Sequence, residues 1–461
     1  MCKTLIILLM LPLGVSANIW TKTYGGAGDD YANFIDTTHD GNYIIVGYTN
    51  SFGKGDYDIW VLKIDTAGDT IWTKTYGDTV DEYGYCIRSV KNGFVILGVR
   101  NDILFLMKID ESGNILWEKE YHELHCYFSW WRKIFAVDRN GGYILGGDTV
   151  IEDTVVPIIA KIDSMGYIKW DKIYPSYGCE PGGVSSIVRT SSLDYAFVTQ
   201  GYEPYFMKVD STGEPIWMHN YFPEFKQFYK EWLLLSLSEY KPDSFLVVGN
   251  YNAYVGGGSQ YGFAGIWEVD SETSNVFATW GDEGDCAYYV NNYLGSGVLV
   301  VGRKKNIGWR LDAHLLKYNN GKVTQKEYGT TFNECATCFV VLQNKGIILV
   351  GYTDSSDFGG KDVWVAKIDS MLTGTQEHSI TESFTSRNVK IELHPIPTRD
   401  RLSIFMAGSP HSITIYDISG RVIAHFKYPV RVIDVRNYPA GVYFISVNGD
   451  RRFVQKFVII K

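Results

Sequence analysis

The chain is built on one phrase repeated about every 50 residues. A strand-like run ends in glycine at Gly47, Gly98, Gly146, Gly201, Gly249, Gly302 and Gly351. A second run follows each, ending at Lys63-Ile64-Asp65, Lys108-Ile109-Asp110, Lys161-Ile162-Asp163, Lys208-Val209-Asp210, Glu268-Val269-Asp270, Lys317-Tyr318-Asn319 and Lys367-Ile368-Asp369. Successive anchors lie 45 to 60 residues apart. A strand-rich period of this length means a propeller or a solenoid, because one such unit cannot bury its own apolar face and must stack on its neighbours.

The first unit shows the internal order. Tyr31–Thr37, Tyr43–Tyr48, Asp58–Ile64 and Thr70–Tyr76 read as strands, separated by the turn His39-Asp40-Gly41, the polar stretch Ser51–Asp56 and the tight turn Asp65–Asp69. Four antiparallel strands per unit is the pattern of a propeller blade. The last unit lacks a fourth strand after Asp369, whereas Ile19-Trp20-Thr21-Lys22-Thr23-Tyr24-Gly25 repeats Ile71-Trp72-Thr73-Lys74-Thr75-Tyr76-Gly77 almost letter for letter. A ring removes exposed strand edges only by closing. The expectation is therefore an all-β fold: a seven-bladed β-propeller over residues 18–372, closed by the N-terminal strand against Asp362–Asp369.

Asp65…Gly68…Trp72 recurs with the same spacing at Asp110…Gly113…Trp117, Asp163…Gly166…Trp170 and Asp210…Gly213…Trp217. Glycine supplies the positive φ of a tight hairpin, aspartate binds the turn's own amides, and tryptophan fills the space between units. The motif resembles the docking motifs of pyrroloquinoline-quinone-type propellers. That resemblance implies architecture and not the cofactor, since no residue set for holding the quinone is recognisable.

Composition bounds the partners. The net charge of −9 argues against nucleic acid. Residues 380–461 hold 12 Lys/Arg and 6 Asp/Glu, a basic tail on a body of about −15. Residues 1–17 read as a secretory signal: Lys3, an apolar run from Leu5 to Leu13, then Val15-Ser16-Ala17. The run is too short to span a membrane. Export permits disulfides among Cys86, Cys126, Cys179, Cys286, Cys335 and Cys338, and six cysteines allow 15 pairings. Cys335-Ala-Thr-Cys338 has redox or zinc spacing but lies on a strand without a second pair.

Strand polarity puts the uniform short turns on one face and the loops of varying length on the other, where binding concentrates on a rigid scaffold. That face collects Tyr121, His122, Glu123 and His125, then Trp130 and Trp131; Phe225, Tyr229 and Trp232 in an aromatic insertion; a glycine-rich stretch at Tyr251–Tyr261; and Trp309 with Arg310 and Asp312. Tyr121, His125, Trp130, Trp131, Phe225, Tyr229, Trp232 and Trp309 are the candidate ligand-binding residues, for a glycan or a protein; covering blade edges is the competing role. Asp29-Asp30, Asp81-Glu82 and Asp282-Glu283 offer calcium ligands or acid/base pairs, although repeat copying also accounts for them. No catalytic residue, metal ligand or cofactor is assigned. A non-catalytic binding or adhesion module is the first reading; an extracellular polysaccharide-acting enzyme with its site at the channel mouth is the second.

After a polar linker, 373–388, short strands fill residues 389–461 and suggest a small Ig-like β-sandwich. The residues Leu393-His394-Pro395-Ile396-Pro397, Ile415-Tyr416-Asp417-Ile418-Ser419-Gly420-Arg421, Ala440-Gly441-Val442-Tyr443-Phe444 and Lys456-Phe457-Val458-Ile459-Ile460-Lys461 resemble the C-terminal sorting domain of type IX secretion cargo in Gram-negative bacteria. Pro395, Pro397, Gly420, Gly441, Tyr443 and Lys456 carry the motif, with Ile396 where the family usually has asparagine. The resemblance implies handling by the type IX machinery, secretion or surface attachment, and anionic surface polysaccharide as a partner. The repeats themselves are similar to arrays found in such cargo, which names no activity.

Overall fold

A computed structural model describes residues 19–126, 135–175, 181–201, 204–220, 229–255, 259–271, 274–280, 285–293, 297–305, 310–319, 322–354, 360–372, 377–378, 392–394, 401–405, 412–417, 421–427, 432–448 and 452–459. The described residues form antiparallel β-sheets and no helix. Two compact units emerge, one from most of the first 382 residues and one from Ser383–Lys461.

In the larger unit the strands fall into successive runs of four; the second and third runs join in one eight-stranded sheet, as do the fourth and fifth, and the last run takes its fourth strand from Trp20–Tyr24. The first comprises Asp30–Thr37, Tyr43–Thr49, Asp58–Ile64 and Thr70–Tyr76. The second comprises Glu82–Val90, Gly93–Arg100, Ile103–Ile109 and Ile115–His125. The second and third strands of the first repeat are nearly all buried, while the fourth is half exposed: Asp58–Ile64 is buried throughout and Thr70–Tyr76 is not. The alternation in the sequence is thus weak in the middle strands because both of their faces are covered.

The recurring glycine has a steric cause. The opening strand of a repeat carries a bulge at one position: between Ala32 and Phe34, Gly84 and Cys86, Leu234 and Ser236, Ala287 and Tyr289, and Ala336 and Cys338. The bulge pushes a carbonyl toward the second strand. A Cβ at Gly47, Gly249, Gly302 or Gly351 would collide with the carbonyl oxygen of Tyr31, Leu233, Cys286 or Cys335 respectively.

The other anchors hold neighbouring repeats together. Lys63, 4 % exposed, reaches Asp40 in its own repeat at 2.9 Å and Glu111 in the next at 3.4 Å. Lys208 likewise reaches Asp194 at 3.2 Å and Asp243 in the following repeat. The outer strand docks on the next repeat's tight turn. Trp72 Nε1 donates to Glu111 O (3.1 Å), and Tyr76 Oη donates to Gly113 O (2.7 Å). Tyr121 Oη repeats the bond on Gly166 O (3.1 Å), and Tyr174 Oη on Gly213 O (2.8 Å). Each turn is tied by its aspartate: Asp65 Oδ1 accepts the amides of Ala67 and Asp69, both at 2.8 Å.

The strand Trp20–Tyr24 obeys the same rule. It pairs antiparallel with Asp362–Ile368, Trp20 opposite Lys367 and Tyr24 opposite Val363. Its Trp20 Nε1 donates to Thr66 O (3.2 Å) and Tyr24 Oη to Gly68 O (2.6 Å), on the tight turn of the first repeat. The opening strands of the first and last repeats are in contact, and Thr337 Oγ1 donates to Ala32 O at 2.7 Å. The first strand of this unit and the last repeat therefore meet, while the short strand Glu377–His378 that follows pairs with Glu327 and Tyr328 of the preceding repeat.

Side chains of non-consecutive repeats also meet. The Tyr289 ring lies 5.5 Å from Phe34 and 5.3 Å from Phe339. The Arg88 guanidinium sits 4.5 Å from the Phe34 centroid. These residues come from the opening strands of the first, second, sixth and last repeats, which meet here.

The smaller unit has a three-stranded sheet (Glu392–His394, Arg401–Phe405, Val432–Asp434) and a four-stranded sheet (Val422–Lys427, Ser412–Asp417, Gly441–Asn448, Arg452–Ile459). They share a core of Leu402, Ile413, Ile415, Ile433, Tyr443, Ile445, Phe457 and Ile459.

Candidate functional site

One end of each repeat is formed where the opening strand starts, the second strand ends and the third begins. At this end the register pairs Tyr31 with Tyr48 and Cys335 with Tyr352. The pairs from adjacent repeats then touch. Tyr31 stacks on Tyr48 at 4.7 Å and meets Tyr352 of the last repeat at 5.1 Å. Tyr48 contacts Tyr57 at 5.5 Å and Tyr83 of the second repeat at 5.0 Å, and Tyr57 lies 5.7 Å from Tyr83. Lys361 Nζ completes the patch, 5.2 Å from the Tyr31 ring and 5.3 Å from Tyr352. All six side chains are half buried. Five partly exposed tyrosines thus form a continuous surface across three repeats.

Carboxylates border the rings. Asp81 Oδ1 accepts the Tyr57 amide at 3.0 Å while its Oδ2 accepts Tyr83 Oη at 3.3 Å. Asp29 Oδ1 accepts the Lys361 amide at 2.8 Å. Burial, then the Asp81 charge, pushes the Tyr83 phenol up to about 12. Burial and the neighbouring Tyr31, Tyr57, Tyr83 and Asp29 push Tyr48 higher still. The Tyr48 and Tyr83 phenols stay protonated, and Tyr83 donates, so the surface offers flat aromatic faces edged by hydroxyl donors and acid acceptors.

The acid pairs anticipated from sequence are split: Asp29 and Asp81 border the rings, while Asp30 and Glu82 are buried and face acids of other strands. Asp58 and Glu82 flank Gly77, Asp362 and Asp30 flank Gly25, and Asp312 and Glu334 flank Gly329. All six acids are at most 1 % exposed. Asp58 Oδ2 accepts the amides of Lys54 (2.8 Å) and Gly55 (3.0 Å); Asp30 Oδ2 accepts Gly26 N (2.8 Å) and Ser51 Oγ (2.7 Å). Glu82 accepts Arg100 Nε at 2.8 Å. Burial raises Glu82 and Glu334 above the usual carboxylate range, Asp312 adding to the effect at Glu334. These groups order the connections between repeats and are closed to a polymer substrate. Asp282 and Glu283 lie outside the described residues. Among the described residues no group of three or more His, Cys, Asp or Glu side chains is arranged to hold a metal ion.

The other sequence candidates scatter. Tyr121 is 3 % exposed and makes the docking bond to Gly166, so its phenol belongs to a seam between repeats. His125 ends the same strand and pairs with Ile103 and Asp148. His122 is exposed, 3.6 Å from Glu120. Tyr229 and Trp232 lie on the strand Tyr229–Lys241, Trp232 opposite Tyr251. Trp130, Trp131, Phe225 and Trp309 fall outside the described residues. The described cysteines Cys86, Cys126, Cys286, Cys335 and Cys338 are thiols. In the tail, Tyr443 is buried and its Oη donates to Pro439 O (2.8 Å), Gly441 starts its strand, and Lys456 lies on the last strand. Pro395, Pro397 and Gly420 fall outside the described residues.

The sequence reading missed the tyrosine patch. Its signal was present as Gly47-Tyr48-Thr49 and Gly351-Tyr352-Thr353, and as a tyrosine after the acid at 30 and 82. What was missing was the cross-repeat register that brings those columns together.

Comparison with known proteins supplies the class of the tail. Residues 392–461 match the secretion system C-terminal sorting domain. The chain therefore carries a type IX C-terminal sorting domain and is a secreted, cell-surface-attached protein. Among the described residues no helix is long and apolar enough to cross a membrane. No curated protein matches the chain. Solved structures that align with it include Drosophila Semaphorin 2a, at 8 % identity over 96 % of this chain and 97 % of that one, TM-score 0.47. YCF48 bound to D1 peptide aligns at 13 % identity over 75 % and 94 %, TM-score 0.40. PorZ of Porphyromonas gingivalis, an essential surface component of the type IX secretion system, aligns at 11 % identity over 88 % and 69 %, TM-score 0.20.

Proposed function

We propose that the mature protein is a non-catalytic binding module displayed at the cell surface, with its ligand site on the tyrosine surface of Tyr31, Tyr48, Tyr57, Tyr83 and Tyr352. The architecture we infer for it is a seven-bladed propeller over residues 18–372, preceded by a signal peptide over 1–17. A linker over 373–388 and an Ig-like sandwich over 389–461 complete it, the sandwich engaging the type IX machinery and anionic surface polysaccharide. The four-strand repeats, the Trp20–Tyr24 pairing and the Thr337–Ala32 bond support the ring.

The patch carries the functional reading. Half-buried aromatic faces with fixed hydroxyl donors and acid acceptors are what a binding surface needs, and tyrosine contributes contact area at low entropy cost. An enzyme would need a reachable acid or base with a shifted pKa. The carboxylates raised above their ordinary value, Glu82 and Glu334, are enclosed between repeats and already bonded. Trp130, Trp131, Phe225, Tyr229, Trp232 and Trp309 are proposed to extend the same rim.

The test is a glycan and protein-ligand screen of the full chain with Tyr48→Ala, Trp131→Ala and Trp232→Ala, run beside a polysaccharide turnover assay. Binding lost in Tyr48→Ala without turnover supports the module. Turnover without saturable binding makes the protein an enzyme and overturns it.

A further inference from the structure

The junction between the last and first repeats and the junction between the first and second are built from equivalent positions. Lys361 precedes the buried Asp362 as Tyr57 precedes the buried Asp58. The Lys361 amide is taken by Asp29, and the Tyr57 amide by Asp81, through the same bond. Tyr352 and Tyr31 flank Lys361; Tyr48 and Tyr83 flank Tyr57.

At the first junction the protein places its own ammonium against two tyrosine rings. At the second a third tyrosine replaces that ammonium, while the acid neighbours remain. Asp81 accepts a hydrogen bond from Tyr83, Asp29 lies close enough to act on the Tyr57 phenol, and Asp56, exposed, lies close enough to act on the Tyr83 phenol. Three aromatic faces and three carboxylates thus converge, and among the described residues no lysine or arginine lies over the Tyr48, Tyr57 or Tyr83 ring, on a body whose charge is negative. A cation over an aromatic face gains from the ring quadrupole, and nearby carboxylates add to that gain.

We propose that the Tyr48–Tyr57–Tyr83 cluster, with Asp29, Asp56 and Asp81, receives the cationic side chain of a lysine- or arginine-bearing peptide segment of a partner protein. The choice of peptide over neutral glycan follows from the charge: a sugar ring would use the aromatic faces but has no need of three carboxylates. This inference rests on the reading of the patch as a binding surface and narrows its ligand.

The experiment is calorimetric titration of the full chain with tetralysine, with ε-acetylated tetralysine and with maltohexaose at low salt. Tyr57→Leu removes a ring; Asp56→Asn removes an exposed charge outside the packed core. Glu152→Gln, an exposed acid of the third repeat, is the control for non-specific attraction. Tetralysine should bind and its acetylated form should not. Affinity should fall about fivefold in Tyr57→Leu and about threefold in Asp56→Asn, and stay unchanged in Glu152→Gln. Thermal melting of Tyr57→Leu checks its folding, and Asp56→Asn carries the test alone if that variant is unfolded. Equal binding of the acetylated peptide, equal losses in Asp56→Asn and Glu152→Gln, or no binding of tetralysine overturns the proposal. Maltohexaose binding that Tyr57→Leu weakens, without tetralysine binding, overturns the cationic ligand and leaves the binding module standing. Polysaccharide turnover with no binding to any probe removes both.

Discussion

Replacing Trp20 by alanine should damage the larger unit more than an equivalent change in any outer strand. Trp20 is 9 % exposed and packs over the first tight turn, its Nε1 bonded to Thr66 O at 3.2 Å. Trp72, its counterpart in the first repeat, is more exposed. Truncating a large buried aromatic to alanine costs about 3–5 kcal/mol. Because the Trp20 ring lies at an outer strand, about 3 kcal/mol is expected, with about 2 kcal/mol for Trp72→Ala. Tyr24→Phe removes only the bond to Gly68 O (2.6 Å) and should cost about 1 kcal/mol. Denaturant unfolding at equilibrium, or unfolding rates if refolding fails, would measure all three. Register has its own check. Thr21 lies opposite Ala366, so the pair Thr21→Cys and Ala366→Cys should crosslink on oxidation, whereas Thr21→Cys with Lys367→Cys should do so poorly. A cost under about 0.5 kcal/mol for Trp20→Ala, with Trp72→Ala still expensive, would show that the first strand is an ornament on an already complete sheet.

Further outcomes follow from other features. Gly68 has φ +82°, and a Cβ there would approach the Trp20 ring at 3.0 Å, so Gly68→Ala should destabilise by about 1–2 kcal/mol in thermal melts. Gly47→Ala should be worse, because its Cβ collides with the Tyr31 carbonyl, a backbone atom that cannot rotate away; soluble yield reports it. Acidity acts in two directions. Glu334 has a folded pKa above its ordinary 4.5, so its contribution is full below that value and lost as pH rises through the folded one. Asp110, Asp163 and Asp210, held low by turn hydrogen bonds led by the Asn114 and Tyr167 amides and the Thr212 hydroxyl, contribute above 3.8 and lose that contribution as pH falls through their depressed values. Melting temperature should therefore peak in mild acid, and Glu334→Gln should flatten the decline that sets in as pH rises above 4.5. Deleting 392–461 should keep the protein from the cell surface, scored by surface protease accessibility.

The strand pattern was readable because it is dictated locally. Alternating apolar residues, the Asp-x-x-Gly turn and the outer Trp-x-x-x-Tyr each follow from contacts within a repeat and its neighbour. The closing strand was readable as a copy, Ile19–Gly25 against Ile71–Gly77. The same logic, carried further, accounts for Tyr121: Trp117 and Tyr121 keep the spacing of Trp72 and Tyr76, and the structure gives them the same docking job. The tyrosine patch was harder. Tyr31, Tyr48, Tyr83 and Tyr352 are unremarkable strand residues one by one, and their meeting depends on which repeats become neighbours and on the bulge after residues 32, 84 and 336. Long insertions drew attention away from those repeated columns, since loop length is visible in a sequence and stacking across strands is not.

The hydrogen bond from the Lys361 amide to Asp29 spans 332 residues of chain. Few contacts in a protein join segments so remote, and loop-closure entropy together with high contact order makes such contacts slow to form. Every other seam can assemble as soon as two consecutive repeats exist. The seam at Trp20 has to wait for both extremities, which makes it the natural last step of maturation and the place where the finished molecule would first breathe open.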